Sequence, residues 1–219
     1  MSNLTIAMPK GRLFDNAVKV ISKMNLISDT NDFDILSRKL VFKDKKKANK
    51  FLLAKPKDVP AYIEHGAADI GITGKDVIME HNKNLYELLD LGFGSCRLVV
   101  AVPENSNIEN VEDIPEHTRI ATSYPEITRR YFADLGIQVD IIYLSGSVEL
   151  GPVVGLSDII VDISSTGKTL RKNNLRPIAE IMNSSARLVV NNVAYKVKHD
   201  QIKKLLNWGK KNEDLEISI

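Results

Sequence analysis

Cysteine is almost absent: Cys96 is the only one in 219 residues. No disulfide can form within the chain, and a reducing compartment fits. Cys96 lies in the apolar run "CRLVVAV" and reads as a small core residue, not a nucleophile. Charge of one sign is lacking too, because 30 basic and 28 acidic residues leave only +2. That balance excludes bulk attraction to nucleic acid or an anionic membrane, so any anion site must be local. The lysine-rich stretch 43–50 reads as solvated surface. No apolar run approaches the ~20 residues that would span a bilayer. The opening "MSNLTIAMPKGR" lacks the charged lead and apolar region of an export signal. Together these absences point to a soluble, cytoplasmic protein with neither membrane nor nucleic acid among its partners.

Several chemistries are excluded in the same way. His65, His81, His117 and His199 show no zinc spacing, and no HExxH occurs. There is no GxSxG elbow, and "GFGSCR" fails the dinucleotide fingerprint at its third glycine. "DIIVDISSTGKTL" ends like a nucleotide-binding P-loop, but Asp162 stands where that motif needs its first glycine. A carboxylate there would repel a triphosphate.

What is present is ordinary globular material, 43% hydrophobic and without low-complexity tracts, long enough for one large domain or two small ones. Short β-branched runs alternate with helical periodicity, which predicts an α/β fold. Strands are expected at 4–8, 51–54, 69–72, 97–102, 119–121, 139–143, 159–163 and 186–190. A helix is expected over 13–24, where Phe14, Ala17, Val18, Ile21 and Met24 recur at three- and four-residue steps. Others fit 58–65, 75–81, 124–135 and 200–211. "LGFGSCR" reads as a crossover, giving a first lobe of residues 1–91 plus 184–219 and a second of 92–183. A ligand cleft between them is the expectation.

Three strand-to-helix turns suit phosphate. The first is Asp162 followed by Ser164-Ser165-Thr166-Gly167. There the carboxylate could accept from ribose hydroxyls, while backbone N–H groups surround a monophosphate. A helix beginning near Thr166 would add its dipole. An ordinary N-capped turn would look the same. In "MPKGRL", Lys10 and Arg12 flank Gly11 and suit a diphosphate or triphosphate. Thr73-Gly74 repeats the theme. Arg38 and Lys55 are lone cations beside apolar runs, and Glu149 sits between glycines, where it could hold Mg²⁺ or a hydroxyl or simply be solvated. Phosphate cradles without an obvious nucleophile point to group transfer governed by positioning and electrostatics. A non-enzymatic solute-binding module remains an alternative at this point.

These motifs together resemble the ATP phosphoribosyltransferase family in its short form. The resemblance runs through "IAMPKGRLFD", "VPAYIEHGAADIGITGKDV", "LLDLGFGSCRLVVAVP", "GSVELGPVVGLSDIIVDISSTGKTLRKNNL" and "ARLVVNN", nearly the whole chain in order. It implies two periplasmic-binding-protein-like lobes with a cleft between them. It also implies a reaction in which N1 of the adenine of ATP attacks the anomeric carbon of phosphoribosyl pyrophosphate (PRPP), with Mg²⁺ carried by the substrate phosphates. By position, Asp162 would hold the ribose hydroxyls. Ser165, Thr166, Gly167, Lys168 and Thr169 would hold the 5′-phosphate, and Glu149 would be a second carboxylate near the sugar. Lys10 and Arg12, with Gly11, would face pyrophosphate or ATP phosphates, supported by Arg38, Lys55, Thr73 and Gly74. Lys55 and Lys168 stand where arginine is more usual, and Gly151 and Ser157 replace alanines. After residue 211 too little chain remains for the regulatory domain of long members. The resemblance therefore implies a homodimer core working with a separate subunit related to histidyl-tRNA synthetase, in a hetero-oligomer.

Overall fold

The computed structural model describes residues 3–30, 33 and 39–211. The chain folds into two compact units, one of Met1–Gly94 with Ser185–Ile219 and the other of Ser95–Ser184. The first unit begins with β1 (Thr5–Pro9), α1 (Phe14–Lys23), β2 (Val41–Lys43), β3 (Lys50–Ala54), α2 (Val59–Glu64), β4 (Ile70–Gly74), α3 (Lys75–His81) and β5 (Leu85–Asp90). The second holds β6 (Cys96–Pro103), β7 (Thr118–Thr122), α4 (Pro125–Asp134), β8 (Val139–Tyr143), α5 (Leu150–Val153), β9 (Ile159–Ser164), α6 (Lys168–Lys172) and β10 (Leu175–Ser184). The chain then returns to the first unit as β11 (Ala186–Asn191), α7 (Asn192–Val197) and α8 (His199–Lys211).

Among the described residues the first unit has a six-stranded sheet in the order β2-β3-β1-β4-β11-β5. At its centre β3, β1 and β4 run parallel, with Pro9 opposite Ala54. Parallel strands buried on both faces read as continuous apolar runs, which is why β1 and β4 stand out in sequence. The apolar stripe of α1 buries Phe14, Ala17, Val20 and Ile21 against this sheet. Phe33 lies edge-on to Phe14, Phe42 and Phe51, with ring centroids 5.8, 5.6 and 5.1 Å away. Such pairs add specific geometry to burial.

The second unit has a five-stranded sheet in the order β10-β6-β9-β7-β8. One face packs Leu98, Ile120, Ile159 and Val161 against Ile127 and Phe132 of α4. The other packs Val99, Ala101, Ala121 and Ile160 against Val148, Leu170 and Leu175. Cys96 is buried, in keeping with a core role.

The lysine-rich stretch exposes Lys43, Lys45, Lys46 and Lys50, as expected of solvated surface, but it is built around a buried carboxylate. It forms a tight connection from β2 to β3 around Asp44, which is 1% exposed. Its carboxylate accepts from Ser28 N and Oγ, each at 2.6 Å, and from Lys46 N at 2.9 Å and Lys47 N. Burial alone would raise its pKa. The bonds from the Ser28 hydroxyl and from the N–H groups of Lys47, Ser28 and Lys46 outweigh that and hold it at about 2, against an ordinary 3.8. A depressed carboxyl contributes stability above its unfolded pKa and loses it as pH falls through the folded one. Asp44→Asn is therefore expected to cost on the order of 2 kcal/mol at pH 7. The wild-type advantage should fade between pH 4 and 2 in denaturant titrations. An undiminished difference at pH 2 would contradict the assignment.

Candidate functional site

The Asp162 turn connects β9 to α6. Residues two apart on a strand share a face, so Asp162 stands on the same face as Ile160. It lies opposite Val99 in β6 and is half-buried. Ile160 packs with Val148 and Leu170, which anchors α6 and the loop before Glu149 to that face. Glu149 is likewise half-buried and stands at the N-cap position of α5, its side chain making no capping bond. A half-buried carboxylate keeps access to a ligand while its charge is less screened than on open surface.

Beyond Asp162 the loop is set by Gly167. This residue is left-handed, with φ 71°, and α6 starts at Lys168, not near Thr166. Gly167 N–H donates to Ser164 Oγ at 3.1 Å. Glycine takes this conformation at little cost, whereas a side chain would be strained. Five residues make α6 too short for a useful dipole, so the expected helix-end contribution falls away. Charge at this turn must come from side chains. Ser165, Thr166, Lys168 and Thr169 are all exposed.

In the first unit, three turns follow the ends of neighbouring parallel strands. Lys10, after β1, leads a single 3-10 turn over Gly11–Leu13, with Gly11 at φ 78°. Lys55, after β3, leads another over Pro56–Asp58. Gly74, ending β4, leads α3. Lys10 N donates to Ala54 O at 2.8 Å, and Thr73 Oγ1 donates to Pro56 O at 3.2 Å. The three turns are thus laced to one another. Lys10, Gly11, Arg12 and Lys55 are exposed there, while Thr73 and Gly74 are buried.

That burial alters the expectation for the third turn. The Thr73 side chain is wholly buried and its hydroxyl is engaged with the Pro56 carbonyl. A Cβ on Gly74 would meet Asp76 Oδ1 at 2.1 Å. A carboxylate already fills the space beside this turn, which suits a staple better than a phosphate cradle. Arg38 lies outside the described residues.

One residue that the sequence alone did not single out joins the Asp162 turn. Arg171 Nη2 donates to Thr166 O at 3.0 Å. The helical step that brings position 171 back over 167 was the available signal.

Gly151 and Ser157 prove to be spatial partners. A Cβ at Gly151 would lie 2.4 Å from Ser157 Oγ and 2.9 Å from Ala121 Cβ. The buried Ser157 hydroxyl, without a hydrogen-bond partner among the described residues, occupies room that a larger residue 151 would need.

The comparisons with known proteins agree with one another. A protein-family model described as HisG: ATP phosphoribosyltransferase matches residues 55–208. The ATP phosphoribosyltransferase of Halothermothrix orenii is 60% identical over 207 residues, 94% of this chain and 93% of its own. Among solved structures, a chain of the ATP phosphoribosyl transferase (HisG:HisZ) complex from Thermotoga maritima is similar at TM-score 0.80. It is 35% identical, with 95% of this chain and 97% of that one covered. The alkanesulfonate-binding protein SsuA from Xanthomonas axonopodis pv. citri is similar at TM-score 0.59, covering 96% of this chain and 73% of its own. At 13% identity that likeness concerns the fold alone.

Proposed function

Because the chain belongs to the ATP phosphoribosyltransferase family, we propose a division of labour among its residues for that reaction. The phosphoribosyl group of PRPP passes to N1 of the adenine of ATP, and pyrophosphate is released, the first step of histidine biosynthesis. The N1–C1′ bond forms as the bond from C1′ to the pyrophosphate oxygen breaks, and its electron pair leaves with pyrophosphate. Adenine N1 is already unprotonated, so no strong base is needed. The barrier lies in separating an anionic leaving group from an oxocarbenium-like sugar.

On this reading Asp162 accepts from the ribose hydroxyls, and with Glu149 it offsets the positive charge that develops on the sugar. Ser165, Thr166, Gly167, Lys168 and Thr169 hold the 5′-phosphate. Lys10 and Arg12, displayed around Gly11 and supported by Lys55 and Arg38, meet the pyrophosphate or the phosphates of ATP. Thr73 and Gly74 keep those turns in place. The observation that carries the reading is the Asp162 turn: a half-buried carboxylate at a strand end, followed by an exposed hydroxyl-rich loop around a left-handed glycine.

The family's reaction generally needs a divalent metal, and we read it as Mg²⁺ arriving on the substrate phosphates. Among the described residues no three His, Cys, Asp or Glu side chains gather as a metal site. Glu149 and Asp162 are single carboxylates. Mg²⁺ commonly keeps several waters and binds through one or two carboxylates together with substrate phosphates. Bound there, Mg²⁺ would stabilise the leaving charge.

The partner is a separate regulatory subunit related to histidyl-tRNA synthetase, joined to a homodimeric catalytic core in a cytoplasmic hetero-oligomer. The HisG:HisZ complex, one chain of which is similar to this one over 97% of that chain's length, supports that arrangement. Among the described residues no helix is long and apolar enough to cross a membrane. Pyrophosphate release with PRPP and each candidate acceptor in turn tests the chemistry. ATP should be the acceptor that works, and preference for another base would overturn the residue roles. For the partner, histidine is expected to inhibit the chain weakly alone and at least tenfold more strongly with the subunit. That is a coupling of about 1.4 kcal/mol, within the usual allosteric range. Strong inhibition of the chain by itself would refute a separate regulator.

A further inference from the structure

We propose that Arg171 is a positioning residue of the PRPP 5′-phosphate loop, supplying the forked cation that Lys168 does not. This rests on the reading of residues 165–169 as that loop.

The first observation is one of pairing. Arg97, Arg119, Arg129, Arg176 and Arg187 each face a carboxylate, on Glu180, Asp158, Glu126, Glu109, and Glu87 with Asp90 respectively. Among the described residues Arg171 has no such partner. Its guanidinium instead turns back over its own loop, where Nη2 donates to Thr166 O at 3.0 Å.

The second observation is position. A Cβ on Gly167 would lie 3.0 Å from Arg171 Nη1 and 3.6 Å from Cζ. The guanidinium therefore lies across the glycine at the turn's centre. Arg171 N also donates to Gly167 O at 3.1 Å, which fixes the start of the side chain relative to the loop.

The chemistry follows from these two facts. A free carbonyl on a phosphate loop presents negative charge to its anion. Arg171 holds the Thr166 carbonyl with one prong and leaves its other donors beside Gly167. A planar fork does both at once in a fixed geometry, whereas the three donors of a lysine radiate from a single point charge. Lys168 adds charge but no fork. Arg171 thus keeps the loop in its binding conformation and makes the turn electropositive where a short helix cannot.

Ribose 5-phosphate is the probe, since it carries the 5′-phosphate and no pyrophosphate. With the purified full chain, Arg171→Ala is expected to weaken ribose 5-phosphate binding and raise KM for PRPP, each roughly tenfold, the loss of one charge-assisted contact. KM for ATP and kcat should stay within about twofold, and thermal unfolding should be unchanged, because side chain 171 is exposed. Arg171→Lys should recover part of the binding and Arg171→Gln very little. The proposal falls if Arg171→Ala binds ribose 5-phosphate normally, if Arg171→Gln matches the wild type, or if KM for ATP worsens equally. Lys168→Ala and Thr169→Ala separate the two levels. If they weaken ribose 5-phosphate and Arg171→Ala does not, only the role of Arg171 is wrong. If none of the three variants affects it, the loop reading fails as well.

Discussion

Arg12→Ala is expected to lower kcat roughly 10²–10³-fold, about 2.7–4 kcal/mol, the usual cost of removing one donor aimed at developing charge. Lys10→Ala should fall in the same direction by less, since a lysine is a point charge and an arginine a fork. Both side chains are exposed around Gly11. Gly11, at φ 78°, turns the chain between them. The Lys10 N–H bond to Ala54 O fixes where that turn sits on the strand ends. Positioned cations act most on pyrophosphate as it separates, so the loss belongs in kcat. Steady-state kinetics with saturating ATP and varied PRPP would check it. A rise in KM alone would mean ground-state binding only, and unchanged kinetics in both variants would return the pair to plain surface. Arg12→Lys should retain part of the rate, because it keeps the charge and loses the fork.

How much of this was legible in the sequence depended on where each element lies in its sheet. The predicted strands correspond to β1, β3, β4, β6, β7, β8, β9 and β11. All but β8 are interior strands, and interior strands carry apolar residues on both faces. The strands that sequence reasoning missed, β2, β5 and β10, are all sheet edges. In β10 the register shifts between Pro177 and Ala179, and proline within a run argues against a strand unless it lies at an edge or bulge. β5, "LYELLD", exposes Tyr86, Glu87 and Asp90 and half-buries the other three in no strict alternation, and β2 is three residues long beside lysines. Neither offers a period to read.

The helices show the same dependence on periodicity. α1, with its long amphipathic stripe, was clear. The short α5, α6 and α7 were not, although Asn191 caps α7 by accepting from Val193 N and Ala194 N. For the site, sequence showed which residues have the right chemistry but not their orientation. Thr73 and Ser165 look equivalent as letters. Burial sends the Thr73 hydroxyl to Pro56 and leaves Ser165 exposed. The step from 167 to 171 was readable, but that it carries the Arg171 guanidinium over the loop follows from Gly167 being left-handed, which no composition reveals.

Asp162→Asn should show the sugar's dependence on charge most directly. The substitution keeps size and hydrogen-bonding shape, and places a neutral amide where the carboxylate is proposed to accept from the ribose hydroxyls. Losing one charge-assisted hydrogen bond costs on the order of 1.5–3 kcal/mol, roughly 10–150-fold. The loss should fall on kcat/KM for PRPP, with KM for ATP little changed, since the carboxylate is assigned to the ribose of one substrate. Part of it should appear in kcat if, as proposed, the same carboxylate opposes positive charge on C1′ as pyrophosphate departs. Fold should survive. Asp162 is half-buried near a strand end opposite Val99, and its neighbours Ile160 and Val161 carry the packing. Measuring both substrates' kinetic constants on a variant with wild-type thermal unfolding isolates the effect. Asp162→Glu should do no better than asparagine for binding, as its longer arm misplaces the charge, yet should retain more of kcat. If Asp162→Asn leaves every PRPP constant unchanged, the carboxylate does not touch the ribose and the assignment of this turn is wrong.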